Sequence, residues 1–508
     1  ARVPFSDIAR QAMDESTTGL GMAIAAEEPW EAGDFVFARI WDEDGVEGWG
    51  EVFLWLPETG VSPDQVVSVI GAHLARYVLG TPPIEVGAVR ARMDRNVNRN
   101  EVAKGLLDLA LHDLAARQIG RPVHDLLGGR RTDSIPLCGL VPLADPATTA
   151  AICASYVGAG YGTLRIKLGT SPHEDRAVIE AVRAEVGPDV RLRVDYNQAY
   201  RFPEAVRALR MLEDLGLDAA EQPLPVGDIL GMAQLQRQTS IPVFLHEGAF
   251  TVADVVTLVE LGASHVVGIN AERPGGLLPA LELIDYASTR GMGTIIHNQP
   301  LGLGTAVLAH LAAARFDRLG HAVELAGDVM FADTLVHDPL RATDGHMPVP
   351  TGPGFGVTID RDALDERTTT EPLTITLDDL TSSGGAPGPG PSPPSRTTPP
   401  PEPPSWPRPN GTAPPSSTTS TPAPGPTVAS SPPTSPASDR LPARPAASSW
   451  WPRAPTAWRG TPAAVSRGSC WTTPGPPLCP RTRRCCSSTP STRSEWRGPV
   501  VSTTTTST

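Results

Sequence analysis

Residues 34–53, DFVFARIWDEDGVEGWGEVF, alternate apolar and polar side chains on either side of Asp44-Gly45. Alternation about a turn-forming pair predicts a β-hairpin. Between Val102 and Gln118 the period lengthens: Ala103, Leu106, Leu107, Ala110, Leu111 and Leu114 recur at three- and four-residue intervals until Gly120 and Pro122 end the run. That spacing predicts a helix, so residues 1–130 read as a small α+β domain. From Ser134 onward short apolar runs are each followed by an amphipathic stretch: LRIKL then DRAVIEAVRAEV, RLRVDY then PEAVRALRMLEDLG, DAAEQP then LGMAQLQRQT. Alternating strand and helix predict a parallel sheet with right-handed crossovers.

Polar residues at the ends of these strands keep a regular interval. Lys167, Asp195, Glu221, Glu247, Asn270, His297 and Glu324 are separated by 28, 26, 26, 23, 27 and 27 residues. One strand, one helix and two loops occupy about that length, so each residue falls at the same level of a successive βα unit, and in a closed barrel such positions converge on one mouth.

Three acids in consecutive units, Asp195, Glu221 and Glu247, would place three carboxylates within a few ångströms of one another. Their repulsion is relieved by a hard cation, and an all-oxygen site suits Mg²⁺. Arg165 and Lys167 alternate along one strand, so both project into the barrel. A lysine is a poor base at its ordinary pKa of about 10.4, but desolvation, a neighbouring guanidinium and a dication all disfavour its charged form. Arg165 and Lys167 could instead serve as carboxylate clamps. His297, across the barrel in TIIHNQPLGLG, is the second candidate for proton transfer, and Glu324 in HAVEL could hydrogen-bond at the substrate carboxylate.

Composition divides the chain near Thr381. Residues 381–508 hold 31 of the 55 prolines and 12 arginines against three acids, without Lys, Ile, Phe, Tyr, Met or His. A tail of that kind cannot bury a core and is expected to be disordered and free of catalytic groups. Its PPPEPPSWPRP stretch could form polyproline II, which makes a Pro-rich interaction protein with a non-catalytic barrel the alternative of another class. An out-of-frame reading of GC-rich coding DNA has the same composition; one uninterrupted frame with ordinary codon usage would sink that hypothesis. The formal net charge of −14 is thus a cancellation of +9 in the tail and −23 in residues 1–380. So acidic a front section argues against nucleic acid and polybasic membrane surfaces as partners, while a small carboxylate needs a local cation to receive it. No apolar run approaches the length of a membrane span, ARVPFSDIAR lacks the order of a signal peptide, and only Cys138 and Cys153 precede the tail, so a cytoplasmic location is expected.

The chain resembles the enolase superfamily, and within it the mandelate racemase and muconate lactonizing enzyme group. The segments that carry the resemblance are VAKGLLDLALHDLAARQIGRPVHDLLGG, LRIKLG, VDYNQAY with Asp195 and Asn197, AAEQP, FLHEG, the Gly-Gly of INAERPGG, HNQPLG and the late PTGPGFGVTID. The resemblance implies an α+β capping domain over residues 1–130, a modified (β/α)₇β TIM-type barrel over 131–345, and a return to the cap over 346–380. It also implies Mg²⁺ on Asp195, Glu221 and Glu247, stabilising the enolate formed when a base removes the proton α to a carboxylate. A symmetric homo-oligomer is suggested as well.

Two residues depart from the pattern. Arg165 stands where the family has a first strand lysine, which leaves Lys167 as the base on that face. Asn270 stands where mandelate-racemase-like members have Asp and cycloisomerase-like members Lys, which argues against muconate-type lactonization. An amide at 270 could orient His297 but would not stabilise imidazolium, making His297 the better acid. Dehydration of a hydroxy or sugar acid is therefore the first expectation, with Asn197, Arg165 and Glu324 positioning substrate, and racemisation or epimerisation the second. Loops 16–30 and 53–61, bearing Trp30, Phe53, Trp55 and Leu56, are expected to shape the substrate site.

Overall fold

The computed structural model describes residues 1–7, 9–10, 31–298, 300–382 and 500–504. The hairpin forms as expected: β2 (Ala32–Trp41) and β3 (Glu47–Leu54) pair antiparallel from Asp34↔Leu54 to Trp41↔Glu47, with β1 (Arg2–Pro4) against the start of β2. Asp42 ties the turn by accepting from the backbone N–H groups of Asp44 and Val46 at 3.1 and 2.8 Å, and Gly45 takes the left-handed φ of +79° that the turn requires. Helix α1 (Glu101–Gln118) lies against the hairpin at backbone contact. A Cβ at Gly48 would come within 2.3 Å of the Ala110 carbonyl oxygen, and one at Gly50 within 2.5 Å of that of Leu106. Residues 102–116 are buried on every side of α1, a helix enclosed all round and not an amphipathic one at the surface.

A two-stranded ladder of β4 (Ser134–Pro136) and β13 (His346–Pro348) accompanies the barrel. The barrel strands are β5 (Cys138–Val141), β6 (Thr163–Lys167), β7 (Arg191–Asp195), β8 (Leu217–Glu221), β9 (Val243–Leu245), β10 (Val266–Ile269), β11 (Gly293–Asn298) and β12 (Glu324–Leu325), in chain order and all parallel. Between them run α2 (Pro146–Gly158), α3 (Pro172–Val186), α4 (Phe202–Leu212), α5 (Ile229–Gln236), α6 (Val252–Glu260), α7 (Leu277–Thr289) and α8 (Gly302–Ala314). The last strand is tied to the first by Cys138 N to Val323 O at 2.8 Å and Val323 N to Pro136 O at 2.9 Å. Seven helices joining eight strands make the (β/α)₇β arrangement. Local sequence explains the boundaries: at α3, Ser171 accepts from Glu174 N, Pro172 occupies the first turn and Gly187 ends the helix.

After the barrel the chain contributes β14 (Leu373–Ile375) to the hairpin sheet, through β15 (Val500–Thr504), which lies antiparallel between β2 and β14. This strand, with Thr381 and Ser382 at the end of a helix over Leu377–Ser382, is the exception, among the described residues, to the disorder expected of the tail. VVSTT is Val and Thr apart from one Ser, a β-forming run that the tail's average composition conceals. The polyproline stretch lies outside the described residues. Cys138 and Cys153 are free and buried, and burial pushes both thiols up to about 12. Among the described residues no helix is long and apolar enough to cross a membrane.

Candidate active site

Side chains alternate along a barrel strand, so residues two apart share a face. In the lumen a small apolar layer of Ala219, Phe244, Val266 and Ile295 forms a cluster apart from the main core. Two residues further along these strands come Glu221, His246, Gly268 and His297, and the register places Lys167 beside Asp195, Asp195 beside Glu221, and His297 beside Glu324. Lys167, Asp195, Glu221, His297 and Glu324 thus meet at one mouth, with one change from the series. His246 takes the inward position that the series assigned to Glu247; Glu247 follows it, two residues beyond β9. Gly268 makes room for this, since a Cβ there would lie 2.7 Å from Phe244 and 2.8 Å from His246.

Arg165 is buried and central. Its Nη1 lies 3.2 Å from Asp195 Oδ2, 3.1 Å from Glu221 Oε2 and 3.2 Å from Glu324 Oε2. Burial opposes its charge, but Glu324, Glu221 and Asp195 together hold its pKa well above the ordinary arginine value. Lys167 Nζ donates to Asp195 Oδ2 at 2.6 Å and to the side-chain oxygen of Asn197. Asn197 in turn donates to Glu247 Oε1 at 3.3 Å, so it bridges the lysine and the third acid. Asn197 (φ 41°), Gln198 (φ 66°) and Gln222 (φ 35°) all have left-handed backbones just beyond the ends of β7 and β8, a clustering of strain typical of a working site.

The acids divide by environment. Burial followed by the charge of Asp195 raises Glu221 well above the usual carboxylate range, and burial, Asp195 and Glu58 push Glu247 up to about 7. Asp195 is held low by Lys167 and Arg165 in spite of burial, and Glu324 by Arg165 and Arg193. Glu247 Oε2 is buried without a hydrogen-bond partner. Three adjacent carboxylates, two of them resisting ionisation and one with an orphaned oxygen, fit a hard dication such as Mg²⁺. Among the described residues the set whose ligand atoms all lie within 4.8 Å of one another is Glu221, His246 and His297, and not the three acids, but that set draws on nitrogen, to which Mg²⁺ is less suited.

His297 Nδ1 lies 2.5 Å from Glu324 Oε2. Burial lowers its pKa although Glu324 opposes this, so the imidazole is neutral near pH 7. Asn270 has a different role from the one expected of it: its side-chain oxygen accepts from Arg273 N at 2.9 Å, closing its own loop. The carboxylate partner of the histidine comes from the next strand instead.

Several residues here escape a reading by intervals. His246 is signalled by Phe244 two positions earlier, and using it in the series gives the more even spacings of 25 and 24. Burial and then Arg273 and His297 keep it well below its ordinary pKa. Glu58, in the expected loop 53–61, reaches from the cap to Arg273 Nη1 at 3.1 Å and to within 3.6 Å of His246 Nε2. Phe53 instead packs in the cap core against Phe35 and Phe331. Loop 16–30 with Trp30 lies outside the described residues.

A capped parallel barrel with titratable side chains gathered at one mouth defines a barrel enzyme. Residues 9–128 match the mandelate racemase / muconate lactonizing enzyme N-terminal domain and residues 148–363 the enolase C-terminal domain-like family, and the chain belongs to this family of the enolase superfamily. It is 28% identical over 338 residues to an N-succinyl-L-Arg/Lys racemase of Bacillus cereus, covering 66% of this chain and 90% of the relative. It is 29% identical over 337 residues to a muconate cycloisomerase 1 of Pseudomonas putida (65% and 89%), and 29% over 329 residues to an L-Ala-D/L-Glu epimerase of Bacillus subtilis (63% and 88%). The crystal structure of N-succinyl Arg/Lys racemase from Bacillus cereus superimposes with a TM-score of 0.65 at 26% identity, covering 73% of this chain and 96% of that one. These relatives are isomerases.

Proposed function

We propose that the protein racemises or epimerises an α-substituted carboxylate, with Lys167 and His297 exchanging the α-proton on opposite faces. The observation that carries this is the His297–Glu324 contact of 2.5 Å. A neutral imidazole whose Nδ1–H is held by a carboxylate has Nε2 as acceptor, and the carboxylate stabilises the imidazolium that forms. The expectation of dehydration rested on a histidine without such a partner, so its ground is removed. Racemases and epimerases among the relatives support the same choice, and their names point to N-acylated amino acids and dipeptides as the substrate class. Asn270 in place of a sixth-strand lysine still disfavours cycloisomerisation.

In this reading Lys167, free of its proton, takes the α-proton on one face while the electron pair moves into the substrate carboxylate. His297, protonated, delivers a proton to the other face, and the reverse reaction exchanges their roles. Mg²⁺ held by Asp195, Glu221 and Glu247 would supply positive charge to the carboxylate oxygens as negative charge gathers there. Asn197 would keep Lys167 and Glu247 in register, and Arg165 would spread charge among the acids.

The test is α-deuterium incorporation in D₂O from both enantiomers of N-succinyl amino acids and both epimers of dipeptides, with hydroxy acids scored for water loss. Lys167→Ala and His297→Asn should each abolish exchange from one enantiomer while leaving the other. Full exchange from both enantiomers in both variants would sink the assignment; water loss from a hydroxy acid without racemisation would restore the dehydratase.

A further inference from the structure

Three barrel helices lack a side-chain N-cap of their own: Arg201 before α4, Gly276 before α7 and Leu301 before α8 make no such hydrogen bond, whereas Asp145, Ser171, Asp228 and Thr251 cap α2, α3, α5 and α6 locally. At α4 the helix's own Glu204 accepts from Arg201 N at 3.3 Å. At α7 and α8 the capping domain supplies what is missing. Glu51, on β3, accepts from Leu301 N at 2.6 Å and from Gly304 N at 3.0 Å, and Asp108, on α1, accepts from Leu277 N at 2.7 Å. A carboxylate there satisfies orphan N–H groups and complements the helix dipole.

The fit leaves no slack. A Cβ on Gly304 would lie 2.9 Å from Glu51 Oε1 and 2.5 Å from Pro300 Cβ. One on Gly276, whose φ is +123°, would lie 2.2 Å from Asp108 Cγ. Both acids are buried, with 3% of Glu51 and 0% of Asp108 exposed. They are 250 and 169 residues distant in sequence from the amides they hold. What these helices follow gives the contacts their meaning: α7 succeeds the loop of Asn270 and Arg273, and α8 succeeds His297. Lys167, by contrast, precedes a helix capped by its own Ser171.

We propose that Glu51 and Asp108 are positioning residues by which the capping domain sets the β10–α7 and β11–α8 segments, and so the place of the His297 imidazole. The catalytic weight of this rests on His297 being the second base, but the contacts themselves do not, and they are tested without substrate. Amide hydrogen exchange of the full chain in Glu51→Gln should rise roughly tenfold at Leu301 and Gly304, since the two amides donate to different oxygens of one carboxyl group and a carboxamide keeps only one acceptor, and Asp108→Asn should raise exchange at Leu277. In ¹⁵N-histidine-labelled protein the His297 ring signals, assigned by their loss in His297→Asn, should shift in Glu51→Gln. Should Glu51→Gln not fold, Gly304→Ala displaces the same carboxylate from the other side with the same expected readouts. Unchanged exchange, or raised exchange with the His297 signals in their wild-type place, overturns the proposal. Loss of the face-specific exchange described above would overturn the two-base reading and leave these results intact.

Discussion

Nδ1 of His297 and Oε2 of Glu324 stand 2.5 Å apart on β11 and β12, strands whose register pairs these two residues directly. Glu324 is also the residue most responsible for opposing the burial that lowers the histidine's pKa. Glu324→Gln should therefore lower that pKa further. Exchange from the enantiomer served by His297 should fall about 10²-fold, and the acidic limb of its pH profile should move to lower pH. Rate profiles for the two enantiomers, measured separately, check both effects.

Arg165 bridges three carboxylates at 3.1–3.2 Å. Removing one partner from a buried charge network costs about 3–5 kcal/mol, and Arg165→Met should lose stability of that order. The acids it leaves behind attract a cation more strongly, so added Mg²⁺ should raise the Tm of the variant by more than that of the wild type. Thermal unfolding with and without Mg²⁺ decides this; equal increments would mean that Arg165 does not face the metal site.

The oxygen and nitrogen ligand sets make opposite predictions. Glu247→Gln should weaken Mg²⁺ binding by ~10²-fold or more, while His246→Asn should leave it within a few-fold of wild type. Titration calorimetry on the two variants distinguishes them, and the reverse ranking would assign the ion to Glu221, His246 and His297.

Burial raises Glu51 from 4.5 to about 7 against the hydrogen bonds from Leu301, Leu303 and Gly304. A carboxyl whose folded pKa is raised stabilises the fold below its unfolded pKa, and that contribution is lost as pH climbs through the folded value. Wild type should thus lose up to ~3 kcal/mol relative to Glu51→Gln between pH 4.5 and 7.5. Paired denaturant melts across that window measure the difference, and a constant gap would place the titration elsewhere.

Local periodicity carried the elements well. The hairpin, the helix over 101–118 and the strands bearing Arg165, Asp195 and Glu221 all form where alternation or three-to-four spacing predicts them, because burial on one face or all round is written into neighbouring residues. The level shared by Lys167, Asp195 and Glu221 was legible too, since βα units repeat at nearly constant length. What spacing could not report is contact between residues far apart in the chain. Glu58 meets Arg273, Glu51 meets Leu301, and Asn270 turns to its own loop, each through tertiary packing that leaves no periodic trace. His246 was hidden for another reason: the acid beside it suited the expected chemistry, and only the phase set by Phe244 shows which of the two points inward.

The bridging of Asp195, Glu221 and Glu324 by Arg165 bears on the life of the chain before any ion reaches it. A ring of carboxylates that depended on a dissolved cation would make assembly wait on metal supply, as happens in proteins that collapse only around their ion. Here the neutralising charge is covalently part of the polypeptide. If Mg²⁺ binds as proposed, the barrel can close first and load later, so metal withdrawal should leave a folded reserve that recovers on resupply with no refolding step.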